Sequence, residues 1–162
     1  MTNIVFVERV RTLIGKPYSE CDCKDVIAKA LGIRFSGTNW LWRSVNNSAK
    51  YKYLKERYSY EPPISELILG DILFKIRSGV PSGYNDEPDA YHVSVYVGGG
   101  TIIHSSPKTG VRIDEYRPRE WNAYGRMKQV EYTDEDKKYD PNLTDHEMIK
   151  ALYEKFILKE ED

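Results

Sequence analysis

Residues 91 to 106 constrain this chain more than any other stretch. Tyr91-His92-Val93-Ser94-Val95-Tyr96-Val97 alternates, Gly98-Gly99-Gly100 turns, and Thr101-Ile102-Ile103-His104-Ser105-Ser106 returns. Alternation at period two marks a strand with one buried face, and a glycine turn between two such runs makes an antiparallel hairpin. A lone hairpin is barely stable in water, so the chain must supply further strands or helices to cover it. It supplies both. Ile72-Leu73-Phe74-Lys75-Ile76 reads as a strand after the Gly70-Asp71 turn. Val111-Arg112-Ile113 reads as another after a turn at Pro107 to Gly110, and residues 125–132 as a later one. Ahead of them, residues 4–14 space apolar groups helically until Gly15 and Pro17 intervene. Residues 23–31 do so again, with Asp22 as the N-cap and Gly32 as the stop. Residues 36–60 read as one or two short helices ended by Pro62-Pro63, and residues 78–90 as a long loop. Thr144-Asp145-His146-Glu147 fits a capping box and opens a last helix to about Lys159. Helices first and strands after, without alternation, predict an α+β fold. N-terminal helices pack on a central antiparallel sheet, and an extra helix closes the C-terminus.

At 162 residues and 40% hydrophobic content the chain suits one core. No run of about 18 apolar residues occurs, so no membrane span is expected. The N-terminus shows no secretory signal pattern. The expectation is a cytoplasmic protein, or one delivered by a phage or a dedicated secretion route. Charge is uneven: residues 131–162 carry eleven acids and five lysines, a net of −6, leaving +5 on the remainder of a chain whose total is −1. The expected division is one globular domain over 1–132 and an acidic helical extension over 133–162. No nucleic-acid motif is visible, and the chain is expected to act as a monomer.

The only cysteines are Cys21 and Cys23. A bridge across one intervening residue would close a strained ring, and no second cysteine cluster completes a zinc site. Cys21, in a loop, reads as structural. Cys23 opens a helix, where free N–H groups and the helix dipole favour a thiolate. A thiol hydrolase also needs an imidazole to take and return the proton.

Strand parity tests whether the hairpin histidines can serve. If the three glycines form the whole loop, Val97 pairs with Thr101. His104 then faces Ser94, on the same sheet face as His92, and the two imidazoles become diagonal neighbours roughly 7 Å apart at the backbone. A two- or four-residue loop would put them on opposite faces. On this reading His92 is the general base and His104 orients it, as Asp or Asn does in other triads. The Cys23 N–H is a candidate oxyanion donor. His146, in the acidic tail, reads as a surface residue.

Taken in order, Tyr18, Asp22-Cys23, Gly70-Asp71-Ile72-Leu73-Phe74, His92-Val93-Ser94-Val95-Tyr96-Val97-Gly98 and Ile102-Ile103-His104 resemble the NlpC/P60 peptidases over about residues 5–130. These are papain-like enzymes of the bacterial cell wall. The resemblance implies a papain-like fold, a Cys23–His92–His104 triad, no cofactor and no metal. It implies peptidoglycan or its muropeptides as substrate, with cleavage after γ-D-Glu the preferred type. Tyr18 and Asp22 stand where family members bind the free amine of the stem peptide. Ser94 replaces the family's glycine and joins them as a candidate substrate-binding residue. Lys24-Asp25 replaces the usual Ser-Gly, and Lys24 is expected to add positive charge near the sulfur.

Three other readings stay open. Cys23, His92 and His104 are a chemically allowed set of zinc ligands. A binding module without activity could keep the scaffold, and a thiol amidase could act on a substrate outside the wall. Trp40, Trp42 and Trp121 read as core, or as an exposed lining for glycan or peptide.

Overall fold

The computed structural model describes residues 1–45, 61–77 and 89–133. The last helix expected over residues 144–159, His146, and all of the acidic extension beyond Thr133 lie outside the described residues. So do most of the 36–60 segment and of the 78–90 loop.

Helix α1 spans Asn3–Arg11, capped by the Thr2 hydroxyl on the Val5 N–H at 3.3 Å. It buries Ile4, Phe6, Val7 and Val10. It stops before the apolar pattern does, because the next residues turn and the Gly15 N–H is taken by the Val111 carbonyl at 2.9 Å. Helix α2 runs Cys23–Leu31, with the anticipated bounds. Asp22 and Asp25 form a reciprocal capping box, and Gly32 closes the helix in the left-handed conformation. Helix α3, Thr38–Ser44, follows within the segment read as short helices.

Five strands follow: β1 Ile72–Arg77, β2 Asp89–Gly98, β3 Thr101–Ser106, β4 Gly110–Glu115 and β5 Ala123–Gly125. They form one antiparallel sheet in the order β4-β3-β2-β1-β5. The late strand therefore lies at 123–125 rather than 125–132. Beyond it, Glu131 makes only an isolated bridge to Thr2.

Alternation along the strands sorts two apolar clusters. Phe74, Val93, Val95, Val97 and Ile103 join α1, α2 and α3 in the main core. Leu73, Tyr96, Ile102, Tyr116, Trp121 and Tyr124 pack together on the opposite face. The Gly-Asp turn before β1 is held by a buried ion pair. Asp71 is 0% exposed, accepts the Ile68 N–H at 2.8 Å and meets Arg126 Nε at 2.8 Å.

The hairpin register differs from expectation in an informative way. Val95 pairs with Ile103, Tyr96 with Ile102, but Gly98 with Thr101. The turn is therefore two residues, Gly99 and Gly100, both at positive φ (58° and 74°). That loop alone would have split the histidines between faces. A bulge at Val97–Gly98, with Gly98 at φ 95°, inserts one residue and restores the parity. Three glycines thus give the anticipated facing, two as the turn and one as the bulge.

Candidate active site

The β2–β3 ladder runs from the turn only as far as Val95 and Ile103. The loop ahead of α2 is fastened beside the end of that ladder. Ser105 Oγ donates to the Cys21 carbonyl at 2.6 Å, and the Val111 N–H donates to the Lys16 carbonyl at 2.9 Å. Cys21 is 0% exposed and free of any disulfide, which makes it a structural plug in the core. Two residues on, Cys23 is half-buried at the first position of α2.

The Cys23 sulfur has two amides aimed at it, those of Val93 and Lys24. Val93 follows His92 in β2, so α2 begins against the strand that carries the imidazole. Burial nonetheless raises the thiol above its ordinary value, Asp22 raises it further, and the two amides only partly offset this. Lys24 contributes less than expected because its charge is engaged elsewhere. Its Nζ is 2.7 Å from Asp22 Oδ2 and 3.5 Å from Asp25 Oδ1. Asp22 is occupied on both oxygens: Oδ1 accepts the Asp25 N–H at 3.0 Å while Oδ2 holds Lys24.

His92 and His104 are brought together. His92 Nε2 lies 2.9 Å from His104 Nδ1, with ring centroids 5.2 Å apart. Their facing nitrogens share one proton, and His92 Nδ1 lies outside that hydrogen bond. Nitrogens at this distance bond to each other; two ligands of one metal would instead point at a common centre. Among the described residues no group of three or more His, Cys, Asp or Glu is arranged to hold a metal ion. Burial, then His104, then Lys75 push His92 down to about 4, so it is neutral near pH 7. His104 is also lowered by burial, while Asp114 opposes that.

The remaining sequence candidates divide. Tyr18 is 37% exposed and near enough to feel the Cys23 charge. Ser94 is only 1% exposed, and its Oγ has no hydrogen-bond partner among the described residues. It lines the sheet face shared by the histidines and presents no surface to a ligand.

Two neighbours of the histidines were not singled out as site residues from the sequence. Trp121 is fully buried but lies against the pair: its ring stacks on His92 at 5.6 Å and meets His104 edge-on at 6.1 Å. Lys75 Nζ sits over the same indole at 5.0 Å. No local pattern announces Trp121, which reaches the site from the turn between β4 and β5, just after a short helical turn at Pro118–Glu120. Asp114 Oδ2 lies 3.4 Å from His104 Nε2. The parity argument used for the histidines would have found it, because Ile102 pairs with Asp114 and His104 with Arg112 across β3–β4. Trp42 is buried edge-on against Phe74, while Trp40 is exposed and stacks on Phe35.

No protein-family model matches the chain, and no curated protein matches it. Solved structures do. One is an NlpC/P60 family protein from Bacillus cereus, 19% identical over 78% of this chain, with a TM-score of 0.52. This chain spans 40% of that protein. Another is the P60 domain of an antigen from Mycobacterium avium subspecies paratuberculosis, 15% identical over 80% of this chain and 96% of its own, with a TM-score of 0.52. A third, the peptidoglycan hydrolase RipB from Mycobacterium tuberculosis, is 16% identical over 80% of this chain and 66% of its own, with a TM-score of 0.52. The chain has the NlpC/P60 fold, an α+β arrangement of helices on a five-stranded antiparallel sheet.

Proposed function

We propose that this chain is a cysteine hydrolase that cleaves an amide bond in peptidoglycan stem peptides. The observation that carries this reading is the imidazole pair at 2.9 Å across β2 and β3, with the Val93 amide next to His92 hydrogen-bonded to the Cys23 sulfur. The fold is shared with a peptidoglycan hydrolase, which supplies the substrate class as a proposal.

The raised thiol and the lowered imidazole mean that the resting site holds neutral Cys23 and neutral His92. The nucleophile is therefore made during attack. His92 Nδ1 takes the thiol proton as Sγ adds to the scissile carbonyl carbon. The oxyanion is stabilised by first-turn amides of α2, that of Cys23 foremost. The C–N bond then breaks, and the proton on His92 leaves with the amine. Water adds to the thioester with His92 again as base, and Cys23 is released as thiol with the acid product. Desolvation of the sulfur raises its pKa and also leaves it a stronger nucleophile once deprotonated.

Cleavage after γ-D-Glu is the preferred bond type, with Tyr18 and Asp22 receiving the stem's free amine. An incoming ammonium would compete with Lys24 for Asp22 Oδ2. The test is digestion of purified peptidoglycan of several cross-link types by wild type and Cys23→Ala, with mass spectrometry of the soluble fragments. Wild type is expected to release fragments newly ended at the γ-carboxyl of D-Glu, and the variant none. Release of nothing new by wild type from any wall type, or equal release by the variant, overturns the reading.

A further inference from the structure

The hydrogen bond between the two imidazoles can run in either direction, and only one direction gives a working base. If His92 donates from Nε2 to His104 Nδ1, then His92 Nδ1 bears a lone pair and can accept the thiol proton. If His104 donates from Nδ1 instead, His92 carries its own proton on Nδ1 and cannot. Nothing in the pair itself chooses between these arrangements.

We propose that Asp114 makes the choice and is the positioning residue of this site: it holds His104 as the Nε2–H tautomer, which forces His92 to donate from Nε2 and leaves His92 Nδ1 free. His104 Nε2 is closed off from solvent and has no hydrogen-bond partner by normal geometry among the described residues. Beside it lies an acceptor, Asp114 Oδ2 at 3.4 Å, a distance that a small tightening converts into an N–H···O bond. A bare ring nitrogen there would face a carboxylate lone pair to lone pair; an N–H there meets its acceptor. Asp114 stays an anion. Burial works against its charge, but the Glu115 amide, Arg112 and His104 together hold it below the ordinary carboxylate value. Arg112 Nη2 binds the same Oδ2 at 3.0 Å. The order along the sheet is thus carboxylate on β4, imidazole on β3, imidazole on β2, and thiol at the start of α2. The charged groups that act on the pair are Lys75 on β1 and Arg112 and Asp114 on β4.

This inference rests on the thiol-hydrolase reading for its importance but is tested without any wall substrate. The protein is labelled with nitrogen-15 and carbon-13 at histidine, and the two tautomers are read by long-range NMR correlation. Alkylation of Cys23 by iodoacetamide is followed as a rate against pH. In wild type both rings are expected as Nε2–H tautomers. In Asp114→Ala and the near-isosteric Asp114→Asn, His92 is expected to gain Nδ1–H character. Their Cys23 alkylation near neutral pH falls roughly tenfold or more, by analogy with a triad whose wrong tautomer disables the base. Asp114→Glu restores both readouts. A purely structural Asp114 would lower thermal stability and leave tautomer and alkylation profile unchanged, which overturns the proposal. So does finding His92 protonated on Nδ1 in wild type, a result that needs no variant to fold. Loss of peptidoglycan cleavage with the tautomer pattern intact would count against the wall substrate and not against this assignment.

Discussion

His92 makes the protein sensitive to acid in a way that can be isolated. Its imidazole lies at about 4 in the native state against 6.5 when unfolded, chiefly because burial penalises the cation, with His104 and Lys75 adding to it. Between these values the unfolded chain binds a proton that the native state refuses. Stability from the neutral ring is therefore complete above the unfolded value, declines as pH falls from 6.5 towards 4, and is gone below that window. Linkage over that interval gives a loss of about 2 kcal/mol between pH ~7.5 and pH ~5. The measurement is urea unfolding followed by far-UV circular dichroism at both pH values, for wild type and His92→Gln. Glutamine keeps a polar group opposite His104 Nδ1 but cannot titrate. Contributions from His104 and the carboxylates are shared by both proteins and cancel in the comparison. Wild type should lose about 2 kcal/mol more than the variant on acidification. Parallel loss in the two proteins would refute the claim that burial depresses the His92 imidazole in the native state.

Two further outcomes follow from the scaffold. A Cβ on Gly110 would overlap the Lys16 carbonyl, and its φ of 68° disfavours a side chain. Gly110→Ala should therefore lower the melting temperature by several degrees and slow Cys23 alkylation as well, since the displaced loop carries Cys21 and leads into α2. Unchanged alkylation kinetics would show that β4 does not position Cys23. Arg126→Met should cost about 3–5 kcal/mol in urea unfolding at neutral pH by stranding the buried Asp71 carboxylate. Most of that loss should be recovered in a double variant that also carries Asp71→Asn; no recovery would show that packing, and not the stranded charge, dominates.

Much of this architecture was legible in the residues. The Asp22 cap and the Gly32 stop bracket α2 because both ends are written in local chemistry. The hairpin strands were legible because one face of each is buried and alternation records it. The bulge at Val97 was not, since a run of three glycines permits several turns and only pairing across the ladder selects one. The site followed the same division. Cys23, His92 and His104 stand out by type and by parity. Trp121 and Asp114 reach the histidines through tertiary packing and a neighbouring strand. The expectation that Lys24 would aid the thiolate holds only weakly, for a local reason: its charge lowers the thiol but is paired with Asp22 and Asp25.

The glycines between β2 and β3 also bear on how this protein can change over generations. Apolar side chains elsewhere in the hairpin can be exchanged one at a time, each with a graded effect on packing. The number of residues in the turn cannot. Losing or gaining one would rotate His104 out of reach of His92 while leaving a sound hairpin behind. Segment length there behaves as a digital trait, coupling the pairing of the two histidines to insertion or deletion events as well as to substitutions. A descendant could thus become a folded, inert copy in a single step.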